Sequence, residues 1–329
     1  MLTTPDFDKK QIVVVLAKDG DRVSLLNSNM LIKDKDGNTK LQVSCYRLFL
    51  ILIIGNMSIT TALIQEAKKY GFGFALFTSS FRYYDMIGGM KEGNTLLKEK
   101  QYKYEGIDIA RKIVQNKIAA QYSVLAAQRE KDAPVKEAMR LLKEYYNNLS
   151  NVDNRNSIMA YEGLASKIYF FNHFNNVDWH GRQPRIKKDW INSALDIGYT
   201  VLFSFIESLL CAYGFDTYCG ILHTQFYMRK SLVCDIVEPF RFIIDKAVKK
   251  GYNLHQIQEE DFSLVNHQYQ LNWKMSQNYV KLFMEAILEE KNSMFLYVQQ
   301  YYRCFMKQSD ISDYPFYYKG VVSNGIDQL

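Results

Sequence analysis

Leu48-Phe49-Leu50-Ile51-Leu52-Ile53-Ile54-Gly55-Asn56 is a run of seven apolar residues that ends at a glycine and an asparagine. Seven consecutive apolar residues are typical of a strand that is buried on both faces at the centre of a sheet. The uncharged stretch continues to Gln65, which is nearly the length of a membrane span, but polar residues interrupt its second half. We therefore predict a central strand over 48–54 and then a helix over 58–70 that Gly71 ends.

The segments around this strand predict a small β-rich domain followed by a larger helical one. Strand-like patterns cover 12–16, 22–26, 30–32, 41–43 and 74–77, with turn signals at Asp19-Gly20-Asp21 and Asp36-Gly37-Asn38. From about Gly93 the apolar spacing becomes helical, and Pro134 ends or restarts the first long segment. Further helices are predicted approximately over 135–149, 157–174, 189–212, 232–250 and 272–306. The sequence thus predicts an α+β protein, with a β-sandwich-like domain containing a short helix over 1–92 and an all-α domain over 93–329.

The composition is that of a folded globular protein of 329 residues, with 48% hydrophobic and 23% charged residues. A length above about 250 residues favours two domains. The formal net charge of +6 comes from 41 basic and 35 acidic residues, so total charge alone does not indicate nucleic-acid binding. The five cysteines lack Cys-x-x-Cys spacing, which predicts reduced, buried thiols. No cationic segment with an apolar stretch follows Met1, so we expect a cytoplasmic protein that makes no membrane contact.

Clustered basic residues indicate a nucleic-acid contact better than the net charge does. A candidate phosphate-binding loop contains four cations within seven residues, Arg182, Arg185, Lys187 and Lys188. Further candidate phosphate contacts are Arg229, Lys230 and Arg241. An ordinary solvated loop explains the first cluster equally well when that cluster is considered alone.

Three separated residues form the candidate catalytic site, Glu162, His223 and Asp235. Two carboxylates and one imidazole can hold one divalent metal, which polarises a phosphoryl oxygen and assists phosphodiester transfer. Glu162 lies within a predicted helix among apolar neighbours, where a carboxylate needs a metal, an arginine or exposure to solvent. A solvated glutamate and a structural histidine are the commoner explanations of such residues taken singly. Pro239 predicts a kink just after Asp235 that would shape the cleft.

Three further residues are predicted to support the site, Glu238, Ser231 and Tyr169. Glu238 lies about one helical turn after Asp235, where it could orient the site or pair with the arginine that follows. Ser231 could contact a phosphate or cap the helix that begins there. Tyr169 could stack on a splayed base or belong to the core.

Four ordered blocks of sequence surround these residues, Glu162-Gly163 through Tyr169, Asn192 through Tyr199, Gly220 through His223, and Arg229 through Arg241. Their order and spacing resemble those of CRISPR-associated protein one, the family of adaptation integrases that insert new spacers into a CRISPR array. Ile54-Gly55-Asn56 is similar to the turn and helix entry in that family's β-domain. Met228 departs from the pattern, because the family often has glycine before the arginine.

The resemblance implies a function and a set of partners. In that family the helical domain is catalytic, and its metal triad corresponds here to Glu162, His223 and Asp235 with Mg²⁺ or Mn²⁺. The 3′-hydroxyl of a short DNA duplex, the prespacer, would attack a phosphodiester at a CRISPR repeat boundary, and the reverse reaction would cut branched DNA. The resemblance also implies a homodimer formed largely through the β-domains, higher oligomers, and assembly with CRISPR-associated protein two, which some branches do without.

Two other functions stay open on the sequence alone. A non-catalytic architectural subunit could use the basic loop and the aromatic residues to position DNA for another enzyme. An RNA-processing nuclease could use the same metal ligands on a different nucleic acid. Chelation of divalent ions separates the first alternative from an integrase, and RNA and DNA duplexes offered side by side separate the second.

Overall fold

The computed structural model describes residues 2–224 and 226–323. The predicted central strand lies in its N-terminal domain. The strands of this domain are β1 (Gln11–Leu16), β2 (Arg22–Leu26), β3 (Asn29–Lys33), β4 (Thr39–Ser44), β5 (Leu48–Ile54), β6 (Ser58–Ile59), β7 (Gly73–Phe77) and β8 (Tyr83–Gly88). Its helices are α1 (Thr4–Asp8) and α2 (Thr61–Tyr70). Gly71 follows α2 with a φ of 72°, a left-handed conformation that confirms the predicted helix end.

The eight strands form two four-stranded sheets. The first has the order β1-β5-β7-β8, in which β1, β5 and β7 are parallel and β8 is antiparallel. The second has the order β4-β3-β2-β6, in which β2, β3 and β4 are antiparallel. The predicted turn at Asp36-Gly37-Asn38 is confirmed, because it joins β3 to β4. The sequence did not predict β8, since its side chains are mostly half-buried and lack a clear apolar alternation.

Strand β5 is apolar on both faces because it separates two cores. Every residue of β5 is at most 3% exposed. Ile51 and Ile53 belong to a core shared with the second sheet and α2. Leu50 and Leu52 belong to the core of the helical domain. One face of β5 therefore packs in each core, which explains why residues 48–54 include no polar side chain.

The rest of the described chain is mainly helical. Its helices are α3 (Thr95–Lys103), α4 (Asp108–Ala126), α5 (Ala133–Asn148), α6 (Arg155–His173), α7 (Trp190–Tyr213), α8 (Ser231–Val237), α9 (Phe242–Asn253), α10 (Ser276–Glu289) and α11 (Lys291–Lys307). Two hairpins, β9 (Phe262–Val265) with β10 (Gln268–Leu271) and β11 (Phe316–Tyr318) with β12 (Val321–Ser323), accompany them. The predicted α+β class is confirmed. The boundary between 92 and 93 falls between β8 and α3 and stays a prediction.

Two of the predicted helices are interrupted. Segment 232–250 forms α8 and α9 with a 3-10 turn over Glu238–Phe240 between them, so the break expected at Pro239 is confirmed. The helical stretch predicted over 272–306 consists of two helices, because α10 ends at Glu289 and α11 begins at Lys291. No glycine or proline marks that junction, so the sequence carries no signal for it.

Helix α7 runs through the core of the helical domain. The carboxylate of Asp189 caps its start by accepting a hydrogen bond of 2.7 Å from the amide of Asn192, and Gly214 ends it with a φ of 83°. Within the described residues α7 is the one helix with the length and composition of a membrane span, and 83% of that apolar window is buried inside the fold. Core helices share those properties, so this is weak evidence for a membrane span. The expected lack of membrane contact stays a prediction.

Gly198 allows α7 to approach its neighbours closely. A Cβ atom at this position would lie 2.4 Å from Cγ2 of Ile244 and 3.0 Å from Cε1 of Phe283. We expect Gly198→Ala to lower the free energy of unfolding by about 1–3 kcal/mol, because overpacking outweighs the better helix propensity of alanine. Gly163→Ala in α6 is the matched control, since no described atom lies within 4 Å of its Cβ position. Urea denaturation of both variants checks this, and equal effects would contradict it.

One buried side chain attaches the C-terminal hairpin to α4. The Nδ2 atom of Asn116 donates to the carbonyl oxygen of Tyr317 at 2.5 Å, and the amide of Tyr317 donates to Oδ1 of Asn116 at 2.9 Å. Asn116 is 0% exposed, so these bonds satisfy polar groups that water cannot reach. The pairing fixes the backbone of α4 next to Lys117, a residue of the site described below.

Candidate active site

The loop that carries His223 is folded around the carboxylate of Asp235. Asp235, in α8, is fully buried. Its Oδ2 atom accepts hydrogen bonds from the amides of Ile221 at 2.5 Å and Leu222 at 3.0 Å. Its Oδ1 atom accepts from the amide of His223 at 2.9 Å and lies 2.7 Å from Nδ1 of the same residue. Asp235 thereby orients the imidazole and leaves Nε2 as the nitrogen that could bind a metal.

A lysine draws two carboxylates together beside this loop. Nζ of Lys117, in α4, is ion-paired with Oε1 of Glu162, in α6, and lies 2.6 Å from Oε2 of Glu238, in the 3-10 turn after α8. The hydroxyl of Ser166 donates to the same oxygen of Glu162 at 3.0 Å. Nε of Arg241 donates to Oε1 of Glu238 at 2.9 Å. Carboxylates from two separate elements, α6 and the 3-10 turn, therefore meet at one ammonium that α4 carries.

Charge compensation keeps these groups ionised. Burial alone would raise the pKa of Glu238, but Arg241 and Lys117 lower it to about 2, and His223 adds a smaller contribution in the same direction. Burial alone would lower the pKa of Lys117, but Glu238 and Glu162 raise it above its ordinary value. The site therefore holds an anionic glutamate and a cationic lysine at neutral pH.

The predicted trio of Glu162, His223 and Asp235 is not arranged as a ready-made metal site. Across residues 2–224 and 226–323, no three His, Cys, Asp or Glu side chains form a group that could hold an ion. Asp235 uses both of its oxygens on the His223 loop, whereas Glu238 faces the same ammonium as Glu162. The ligand role of Asp235 stays a prediction, and the geometry favours Glu238 as the second carboxylate.

The other two predicted supporting residues have structural contacts. The hydroxyl of Ser231 accepts from Nε of Arg229 at 3.2 Å and donates to the carbonyl oxygen of Thr224 at 3.1 Å, so it holds the loop in place. Tyr169 is fully buried, and its ring stacks on His173 with centroids 5.2 Å apart. The structure therefore matches the core alternative for Tyr169.

The predicted basic loop lies next to the site, because its first cation, Arg182, and Arg241 of the site both contact the ring of Tyr199. The guanidinium carbons of Arg182 and Arg241 lie 5.3 and 4.7 Å from the centre of the Tyr199 ring. Arg182 is also paired with Asp196 at 2.5 Å, and its side chain is only 13% exposed. Arg182 therefore organises the loop and anchors it to α7.

The remaining cations of the loop differ in their exposure. Arg185 and Lys188 are exposed, and Lys187 is half-buried. Burial lowers the pKa of Lys187 from its ordinary value. Arg185 and Lys188 are therefore the members of this loop best placed to meet a phosphate, although the predicted DNA contacts stay predictions.

Lys230 takes part in a buried contact between the two domains. Its Nζ lies 2.6 Å from Oε1 of Glu207 and 3.2 Å from the hydroxyl of Tyr83, which donates to Oε2 of Glu207 at 2.5 Å. The side chains of Lys230 and Glu207 are 12% and 3% exposed. Because Tyr83 belongs to β8 and Lys230 precedes α8, this trio links the β-rich domain to the helix that carries Asp235.

A comparison with protein families covers most of the first sheet and the whole candidate site. The family model described as CRISPR associated protein Cas1 matches residues 14–285. The chain belongs to the Cas1 family. This confirms the resemblance that the four ordered blocks of sequence indicated.

Curated Cas1 proteins match over most of their length. The chain is 28% identical over 274 residues to CRISPR-associated endonuclease Cas1 1 of Thermodesulfovibrio yellowstonii, covering 79% of this chain and 83% of the relative. It is 26% identical over 309 residues to CRISPR-associated endonuclease Cas1 1 of Archaeoglobus fulgidus, covering 84% of this chain and 88% of the relative.

Solved structures show that the Cas1 fold is shared. A CAS1 protein from Thermotoga maritima matches with a TM-score of 0.78 at 18% identity, covering 90% of this chain and 97% of that one. A casposase bound to integration product matches with a TM-score of 0.76 at 19% identity, covering 91% and 92%. A Cas6-RT-Cas1--Cas2 complex matches with a TM-score of 0.77 at 22% identity, covering 92% of this chain and 35% of that one.

Sequence reasoning missed two residues that organise this Cas1 site. Lys117 lies 45 positions before Glu162, and Glu207 lies 124 positions after Tyr83. A charged residue inside an apolar helical pattern indicates that a buried partner exists. Such a pattern cannot name the partner, because the pairing depends on how separate helices pack.

Proposed function

We propose that this Cas1 protein is a metal-dependent DNA integrase of CRISPR adaptation, which joins the 3′-hydroxyl end of a short duplex to a phosphodiester at a CRISPR repeat boundary. The meeting of Glu162 and Glu238 at one ammonium, together with the electrostatic effect of His223 on Glu238, is the observation that supports this best. Membership of the Cas1 family, the endonuclease names of its relatives and the fold shared with a casposase bound to integration product support the same class of reaction.

The side chains at the site fit a hard divalent cation. Glu162 and Glu238 supply carboxylate oxygens, and their shared contact with an ammonium shows that a cation is accommodated between them. Nε2 of His223 would add one nitrogen, and the carboxylate behind Nδ1 is the usual partner of a metal-binding histidine. Such a set suits Mg²⁺ or Mn²⁺. When bound, the metal would stabilise charge on the transferring phosphate and lower the pKa of the attacking hydroxyl.

The reaction is a balanced transesterification. The 3′ oxygen of the incoming strand forms a bond to the target phosphorus, the bond from that phosphorus to the target 3′ oxygen breaks, and the proton lost by the attacking hydroxyl is balanced by one gained by the leaving oxygen. The number of phosphodiester bonds is unchanged, so the step is reversible and needs no covalent enzyme intermediate. The cationic rim of Arg185, Lys188 and Arg241 would hold the two DNA backbones at the site.

The partners proposed for this chain follow from the same function. They are a short duplex prespacer and the CRISPR repeat DNA, a second copy of the chain joined through the β-rich domains with assembly into higher oligomers, and CRISPR-associated protein two. The similar fold of the Cas1 part of a Cas6-RT-Cas1--Cas2 complex supports the last of these.

A strand-joining assay tests the proposal. Purified protein, a short duplex with free 3′-hydroxyls and a supercoiled plasmid are incubated with Mg²⁺ or Mn²⁺, and joined products are separated on a denaturing gel. We expect joining with either ion, no joining with excess chelator, and none with His223→Ala, because each loss removes the group that stabilises the transferring phosphate.

Two controls make the result specific. A duplex with dideoxy 3′ ends should bind equally well but should not join, since the nucleophile is missing. Joining that continues at full rate with chelator or with His223→Ala would refute the proposed site. DNA binding without any joining under all conditions would favour the architectural alternative.

A further inference from the structure

A lysine ammonium occupies the space between the two carboxylates that the proposed function assigns to the metal. We propose that Lys117 is a counter-ion with two positions: its ammonium holds Glu162 and Glu238 together without metal, and moves toward Gln121 when a divalent cation binds. This inference rests on the proposed metal site, and it concerns how that site is kept ready and how its metal affinity is set.

The first position is the one that the structure shows. Lys117 is 7% exposed and contacts Oε1 of Glu162 and, at 2.6 Å, Oε2 of Glu238. Two carboxylates brought this close repel each other strongly when water is excluded, so the ammonium lowers the cost of keeping them together. Lys117 thus prepares the arrangement that a metal would need.

The second position is an unused acceptor beside the same lysine. A cavity of about 20 Å³ lies beside Lys117 and Gln121, and its charged lining consists of Glu238, Asp245 and Arg241 besides the lysine itself. Oε1 of Gln121 is buried and has no hydrogen-bond partner among the described residues, while Nε2 of Gln121 donates to the hydroxyl of Ser166 at 3.3 Å. A cavity of this size holds about one water molecule, and an ammonium is of similar size. Gln121 lies one helical turn after Lys117, within reach of its side chain.

Electrostatics requires the ammonium to leave its first position when metal binds. A divalent cation between Glu162 and Glu238 would stand within a few ångströms of the ammonium, and the repulsion would cancel much of its attraction to the carboxylates. The backbone at this point cannot retreat, because Asn116 is pinned to Tyr317. The flexible four-carbon stem of lysine allows the charged end alone to move.

Two variants with opposite expected effects test the inference. Lys117→Met removes the competing charge, so we expect the affinity for Mn²⁺ alone, measured by electron paramagnetic resonance, to rise at least tenfold. The melting temperature in chelator should fall, because the two carboxylates lose their counter-ion. Gln121→Leu fills the cavity and removes the second acceptor, so we expect the affinity for Mn²⁺ to fall about three- to tenfold. When Gln121→Leu is added to Lys117→Met, it should have no further effect on affinity.

The outcomes separate this inference from the proposed function. Wild-type protein that binds no Mn²⁺ would overturn the metal site itself and this inference with it. Wild-type protein that binds Mn²⁺, with an affinity that Lys117→Met leaves unchanged or weakens, would overturn only the role of Lys117. An effect of Gln121→Leu that persists in the double variant would overturn the second position. If Lys117→Met does not fold, Lys117→Gln serves in its place, because it is neutral and can still donate to a carboxylate.

Discussion

Glu238→Gln is expected to slow metal-dependent strand joining by about 10³-fold, because it removes one of the two charged ligands that would stabilise the transferring phosphate through the metal. Asp235→Asn should slow joining less, by about 10–100-fold, since Asp235 acts through the orientation of His223. Initial rates at saturating Mn²⁺, together with Mn²⁺ affinity, distinguish the two variants.

This comparison decides between the ligand set that the sequence predicts and the one that the geometry favours. Glu285→Gln is a matched control, because it removes a carboxylate whose side chain is 64% exposed and paired with Lys281 at 3.8 Å. The rate of this control should equal that of the unchanged protein. A mild effect of Glu238→Gln beside a severe effect of Asp235→Asn would restore Asp235 as the ligand and refute the assignment of Glu238.

Glu207→Gln is expected to lower the free energy of unfolding by about 3–5 kcal/mol, because it leaves Lys230 buried without its anionic partner. Burial raises the pKa of Glu207, and Lys230 opposes that rise only in part. Forming the buried pair therefore adds little net stability, although removing one partner is costly. Urea denaturation followed by circular dichroism measures the loss.

Exposed ion pairs contribute little to stability, so an exposed pair serves as the control. Glu99→Gln disrupts an exposed pair with Lys103 and should leave the denaturation curve unchanged. Replacing both partners, as Glu207→Leu with Lys230→Met, should recover much of the loss, because no unpaired charge is then buried. If Glu207→Gln and Glu99→Gln shift the curve equally, the trio of Tyr83, Glu207 and Lys230 does not anchor the domains.

The sequence predicted those parts of the fold that depend on local patterns. Leu48–Ile54 was recognisable as a central strand because both of its faces are buried, and Pro239 predicted the break between α8 and α9 because it lacks an amide donor. The break at Glu290 was not predictable, since no glycine or proline marks it and the residues around it all tolerate a helix. The same holds for the parallel pairing of β1, β5 and β7, which joins segments far apart in the chain.

The candidate site was predictable in composition but not in its contacts. Sequence blocks identified Glu162, His223 and Asp235, and the structure brings His223 and Asp235 into contact. The choice between Asp235 and Glu238 as the carboxylate facing Glu162 depends on which one the His223 loop folds around. Backbone amides make those contacts, and nearly every residue carries one. The spacing of side chains in the sequence therefore cannot predict which carboxylate the loop binds.

The pairing of Asn116 with the backbone of Tyr317 has a consequence for how the protein matures during synthesis. The helix that carries Lys117 is made early, but a buried amide beside that lysine gains its partner only after residue 317 has left the ribosome. We therefore expect nascent chains to remain inactive until residue 317 has emerged.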